Sequence, residues 1–92
     1  MKPQLQIPIE ELLAIGFQKQ TSVADELNPE RSYYEIRCFN GCFYCNPDYE
    51  KYKWYQKIVI DKYSNDINLN ITSKPELFLL LNCFNVKFNL IT

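Results

Sequence analysis

Along this chain the spacing of apolar residues switches between helical and strand periods, and the switches mark out the elements. From Pro8 the period is helical: Ile9, Leu12 and Leu13 share a face, and Glu10 and Glu11 stand in the first turn. Gly16 followed by Phe17 reads as the C-terminal cap of that helix with its hydrophobic contact. Residues 18–32 are polar and contain Asn28-Pro29, a loop pattern. Residues 33–39 read as a strand, Asn40-Gly41 as a two-residue hairpin turn, and 42–45 as the returning strand. Asn46-Pro47-Asp48 makes the next turn. A long strand is predicted over 52–62, with Trp54, Ile58 and Ile60 on one side and Lys53, Tyr55, Lys57 and Asp61 on the other. After a turn at Ser64-Asn65-Asp66, Ile67, Leu69 and Ile71 alternate with Asn68 and Asn70, as in a strand with one face in water. Ser73 and Glu76 form a capping box that opens a helix over 74–84, with Pro75 tolerated in its first turn. Val86, Phe88 and Leu90 alternate with Lys87 and Asn89 as a last short strand. The predicted fold is α+β, residues 1–92 forming a single domain. It comprises an antiparallel β-meander of about four strands, two helices packed on one face, and the short C-terminal strand.

Composition agrees with a small globular domain. With 47% apolar and 15% aromatic residues, 23% charged and only two glycines in 92 residues, the chain lacks the signature of disorder. A formal charge of −1 supplies no overall attraction to nucleic acid or an anionic membrane. No run approaches the roughly 20 apolar residues of a membrane span. The N-terminal stretch MKPQLQIPIEELL lacks the apolar segment and cleavage site of a secretory signal. These features lead us to expect a soluble, cytoplasmic protein whose four cysteines stay reduced. There is no histidine, which removes the usual general base. With few glycines and one small core as well, the chain is expected to be no enzyme and to carry no cofactor.

Cys38, Cys42 and Cys45, in CFNGCFYC, have C-x3-C-x2-C spacing. The segment resembles the cluster-binding motif of radical S-adenosylmethionine enzymes. That family implies a large partial β/α barrel, whereas the chain after Cys45 continues as a meander, so the resemblance ends with those eight residues. A tetrahedral zinc with Cys83 as fourth thiolate is the alternative. The predicted hairpin opposes it: pleating sends Cys38 and Cys45 to one face and Cys42 to the other. Buried cysteine as a small apolar residue accounts for the same pattern.

Two further surfaces are candidates. In YEKYKWYQK, aromatics alternate with lysines, and Tyr55, Lys53 and Lys57 near Arg37 could stack bases and contact phosphates. The low net charge and neighbouring carboxylates make direct nucleic-acid binding the weaker reading. On the second helix, Leu77, Leu80, Leu81 and Phe84 form a core stripe, which leaves Leu79 opposite with Phe78 and Cys83 on the flanks. Phe78, Leu79 and Asn82, with Tyr44 and Tyr55 of the sheet, are the predicted protein interface. A homodimer is compatible with the same features.

Taken whole, IEELLAIGF and ITSKPELFLLLNCFNV around a Tyr/Trp-rich meander resemble small accessory open reading frames of AT-rich bacteria and their phages. Anti-CRISPR inhibitor proteins are among these. The resemblance implies a compact, non-catalytic inhibitor or adaptor that binds another protein, such as a nucleoprotein defence effector, and blocks it. The alternative is a nucleic-acid or zinc-binding module.

Overall fold

The computed structural model describes residues 3–22, 26–27, 31–47 and 51–90. The chain forms α1 (Ile9–Ile15), β1 (Gln18–Ser22), β2 (Arg31–Cys38), β3 (Gly41–Cys45), β4 (Trp54–Ile60), β5 (Tyr63–Leu69) and α2 (Lys74–Cys83). The strands make one antiparallel sheet in sequence order, β1 to β5. The fold is thus α+β with a meander, as expected, but with five strands instead of four. Asn28-Pro29, Asp48, Tyr49 and Glu50 lie outside the described residues.

Pleating divides the sheet into two faces. Tyr34, Ile36, Phe43, Cys45, Trp54 and Gln56 are buried on one of them. That face is closed by Leu12 and Ile15 of α1 and by Leu77 and Leu81 of α2, joined in one apolar cluster. The helices do not cover it alone. Leu5 and Ile7 before α1, and Val86 and Phe88 after α2, complete the layer. The N-terminal segment is latched in place. Trp54 Nε1–H donates to the Leu5 carbonyl at 2.8 Å, the Tyr52 hydroxyl donates to Ile7 O at 3.2 Å, and Leu5 N–H donates to Ile71 O at 2.7 Å.

Both helices end as their sequences specify. At seven residues α1 is too short to persist without packing. Gly16, at φ 128°, turns the chain out of it, and Phe17 then donates to Leu12 O and enters the core. Asn89 satisfies two carbonyls at the end of the same helix, donating from its side chain to Ala14 O and from its backbone to Ile15 O. At α2, Glu76 N–H donates to Ser73 Oγ, while the Glu76 carboxylate reaches back to the Thr72 hydroxyl at 2.8 Å.

Several expectations are corrected. Residues 18–32, read as loop, contain β1 and the start of β2; QKQTS has no apolar alternation because it is a wet edge strand. The β2–β3 turn is Phe39-Asn40, with Cys38 opposite Gly41 and Arg37 opposite Cys42. Asn40 supplies the left-handed residue at φ 64°, and Gly41 starts the next strand because β4 leaves no room there for a side chain. Ser64-Asn65-Asp66 is part of β5; the chain reverses earlier, at Asp61-Lys62, with Asp61 left-handed at φ 58°. The strand expected to run to Ile71 ends at Leu69. Residues 86–90 form no strand: the Val86 N–H donates to Leu81 O at the end of α2 and the Asn89 N–H to Ile15 O at the end of α1. In α2 the stripe is narrower than predicted: Leu77 and Leu81 are fully buried, Leu80 half-buried, and Phe84 exposed with its ring edge against Phe43. Among the described residues no helix is long and apolar enough to cross a membrane.

Candidate functional site: the open sheet face

Among the described residues no helix lies on the second face of the sheet, and the residues of that face are set by the strand register. Glu35 of β2 opposes Tyr44 of β3, which opposes Tyr55 of β4, which opposes Asn68 of β5. The neighbouring row runs Arg37, Cys42, Lys57, Asp66 in the same order. Tyr33 lies two residues from Glu35 on β2, so it shares this face.

The tyrosines form a contiguous row. Tyr44 and Tyr55 stack at 4.9 Å between ring centroids, and Tyr33 meets Tyr44 edge-on at 5.7 Å. The Lys57 ammonium sits 6.0 Å from the Tyr44 ring centroid. Together with Glu35, Cys42, Asn46 and Asp66 these residues line a shallow depression of about 460 Å³. Burial raises the Tyr44 phenol above its ordinary range, and the Asp66 carboxylate that accepts its hydrogen bond adds to the shift. Burial likewise pushes the Cys42 thiol up to about 12, with Glu35 raising it and Lys57 opposing. The face is therefore aromatic, alternates in charge, and is held protonated at its acidic hydroxyl and thiol.

The predicted site residues separate into groups. Tyr44, Tyr55, Arg37 and Lys57 come together on the open face, whereas Lys53 precedes β4 and stands exposed beside it. Cys42 separates the two cations, Asp66 stands directly opposite Lys57 and Glu35 lies two residues from Arg37 on β2, so carboxylates flank the cations and leave no continuous path for phosphates. Leu79 is 65% exposed on α2, with Asn82 also in solvent. Phe78 does not join them: it is half-buried, stacked on Phe88 at 5.5 Å. Leu79 borders an apolar groove of about 360 Å³ with Leu69, Ile71, Leu80 and Cys83. Sequence reasoning missed Tyr33 and Asp66 as members of the face. The parity of Tyr33 was readable, whereas Asp66 falls in a predicted turn and joins the face only through the pairing of β5 with Lys57.

The thiols do not converge. Cys38 and Cys45 face the core and Cys42 faces out, while Cys83 is exposed on α2. Among the described residues no three groups of metal-binding type come together. The Cys45 Sγ lies 3.5 Å from the Tyr52 hydroxyl, and burial pushes this thiol from its ordinary 9.0 to about 12 despite that hydrogen bond. Folded-state values above the unfolded ones mean that the unfolded chain releases these protons first as pH rises. Stability from Cys42 and Cys45 is therefore complete below pH 9 and falls between pH 9 and about 12. The urea midpoint should hold up to pH 8 and decline above pH 9, with a shallower decline in the Cys42→Ser variant. In native protein at pH 8, a thiol reagent should label Cys83 quickly and Cys45 only on unfolding.

Compared with known proteins, the chain matches no family model, and neither a curated protein nor a solved structure matches it.

Proposed function

We propose that the chain is a non-catalytic protein-binding domain, an inhibitor or adaptor, that docks its partner on the open sheet face. The observation that carries this reading is the row Tyr33–Tyr44–Tyr55, ring against ring, on a face that no element of the described fold covers. Half-exposed tyrosines offer large, rigid contact area at low entropic cost, and they are enriched at the centres of protein interfaces. Stacking and strand pairing hold these rings in place before binding, which reduces the ordering cost of association. Arg37 and Lys57 on one row with Glu35 and Asp66 close by give the rim charges of both signs, suited to fixing orientation.

Catalysis finds little support in this chemistry. Burial shifts Cys38, Cys42 and Cys45 upward, away from the thiolate a nucleophile needs. The intervening carboxylates likewise favour a protein over a nucleic acid. The resemblance to small phage and accessory reading frames names the partner to try first, a defence effector of the host cell.

The test is affinity capture from the source cell with wild-type and Tyr44→Ala/Tyr55→Ala proteins, followed by measurement of affinity for the captured protein. Each truncation at the centre of an interface costs about 2 kcal/mol or more, so the double variant should bind at least a hundredfold more weakly. Its melting temperature should change little, because both rings are half-exposed. Unchanged affinity refutes the assignment of this face. Tight, steeply salt-dependent binding of single-stranded RNA, lost in the same variant, would transfer the face to nucleic acid.

A further inference from the structure

Strand β5 is an edge without the usual guards. Across Tyr63–Leu69 it holds no lysine, arginine or proline, and its one charge is Asp66. Its hydrogen-bonding direction follows from the neighbouring strands. Val59 N–H donates to Asn40 O at 2.7 Å, so Val59, Lys57 and Tyr55 turn their backbone groups toward β3. Ile58 and Ile60 then bond to Asn65 and Tyr63, their register partners. Ser64, Asp66 and Asn68 are left with N–H and C=O directed outward from the sheet.

Apolar side chains collect beside this edge on the core-side face. Tyr63 is 72% exposed, Ile60 64% and Ile67 43%. The groove under Leu79 and Leu80 begins at Leu69, on the same strand.

We propose that β5 pairs antiparallel with β5 of a second copy about a two-fold axis at Asn65. Two-fold axes at Ser64 or Asn68 would pair only one end of β5; among the other registers that put outward backbone groups opposite one another, centred on Asn65, Asp66 or Ile67, the side chains choose. An axis at Asp66 sets the two carboxylates face to face. An axis at Ile67 carries Tyr63 past the end of the other β5 at Leu69, opposite Ile71, which is buried in its own core and offers it no contact. The axis at Asn65 has neither fault. It places Tyr63 of each copy against Ile67 of the other in the closer, non-hydrogen-bonded type of pair. It sets the Ser64 hydroxyl opposite the Asp66 carboxylate, and it joins the two Asn65 amides on the axis. Tyr63 of each copy then stands at the mouth of the other's apolar groove, which accounts for the exposure of Leu79 there. The occupant is a second copy because one strand supplies both members of every complementary pair. The joined sheet has both tyrosine faces on the same side, so a dimer presents its partner with two equivalent docking surfaces.

Sedimentation of the full chain over a wide concentration range tests this. The expected species has twice the 11.0 kDa chain mass. Asn65→Asp sets two carboxylates together on the axis, and Ile67→Lys removes the apolar pair; each should give a monomer with unchanged circular dichroism. In a Cys83→Ser background, diamide should cross-link Asn65→Cys into a covalent dimer, and Asn68→Cys much less. A wild-type monomer at every concentration overturns the proposal, as does a dimer that survives both substitutions. Neither result bears on the open face, which is read from partner affinity.

Discussion

Replacing Trp54 with alanine should leave the protein largely unfolded at 37 °C. Trp54 is 1% exposed and packs edge-on against Phe17 at 6.0 Å and tilted against Tyr52 at 5.6 Å. Truncating a buried tryptophan costs about 3–5 kcal/mol, a large share of the roughly 5–10 kcal/mol that stabilises a domain of this size. The loss goes beyond volume, because the indole N–H holds the Leu5 carbonyl and so the N-terminal segment that closes the core. Trp54→Phe separates the two contributions. It keeps most of the packing but strands that carbonyl, and it should cost about 1–3 kcal/mol. Urea denaturation of both variants checks the order; equal, small losses would mean that the N-terminal segment is not tied to the core through this ring.

Gly41→Ala should be nearly as damaging, although it adds a single methyl group. A Cβ at this position would lie 1.8 Å from the Lys57 carbonyl oxygen and 2.8 Å from its carbon, both backbone atoms of the paired strand. The residue also holds φ at +155°, where side chains are strained. The β3–β4 ladder must separate locally, and a loss of about 3 kcal/mol or more is expected. Gly16→Ala provides the control. Its φ of +128° is also unfavourable, but the nearest atom to the new Cβ is the Ile36 side chain at 3.5 Å. That loss should stay near 1 kcal/mol. Equal effects at the two glycines would contradict the close approach of β3 and β4.

How far the sequence carried the fold can be traced to particular residues. Alternation around Trp54 was readable because one side of β4 carries Trp54, Ile58 and Ile60 while the other carries tyrosine and lysine. The Ser73 box and the Gly16 cap were readable because each rests on local bonding. β1 was hidden because both sides of QKQTS are polar, and Ser64–Asp66 was hidden because it lies on the opposite edge, wet on both sides. A two-residue turn at Asn40-Gly41 implies Cys38 opposite Phe43, whereas Cys38 pairs with Gly41, a register two residues away. A two-residue slip preserves the pleat, so the separation of Cys42 from Cys38 and Cys45 was assigned correctly through the wrong turn.

The candidate site was legible in parts. Tyr44, Tyr55, Arg37 and Lys57 were chosen by parity, and they share a face. Asp66 was unreachable from the sequence, since it enters the site through the pairing of Lys57 with β5. Leu79 was found by its position on the helical wheel, and it is exposed. Phe78 was misplaced because its ring is covered by Phe88, in a segment expected to be a strand. Contacts made by irregular chain leave no period to read.

Docking of a partner protein on the tyrosine row can be observed residue by residue. The most direct measurement is NMR mapping of isotopically labelled protein titrated with the captured partner. Perturbation and line broadening should concentrate at Tyr33, Arg37, Tyr44, Tyr55 and Lys57, leaving α1 and the exposed side of α2 near their free positions. Changes confined to Leu79, Asn82 and their neighbours, with the tyrosine row silent, would contradict it.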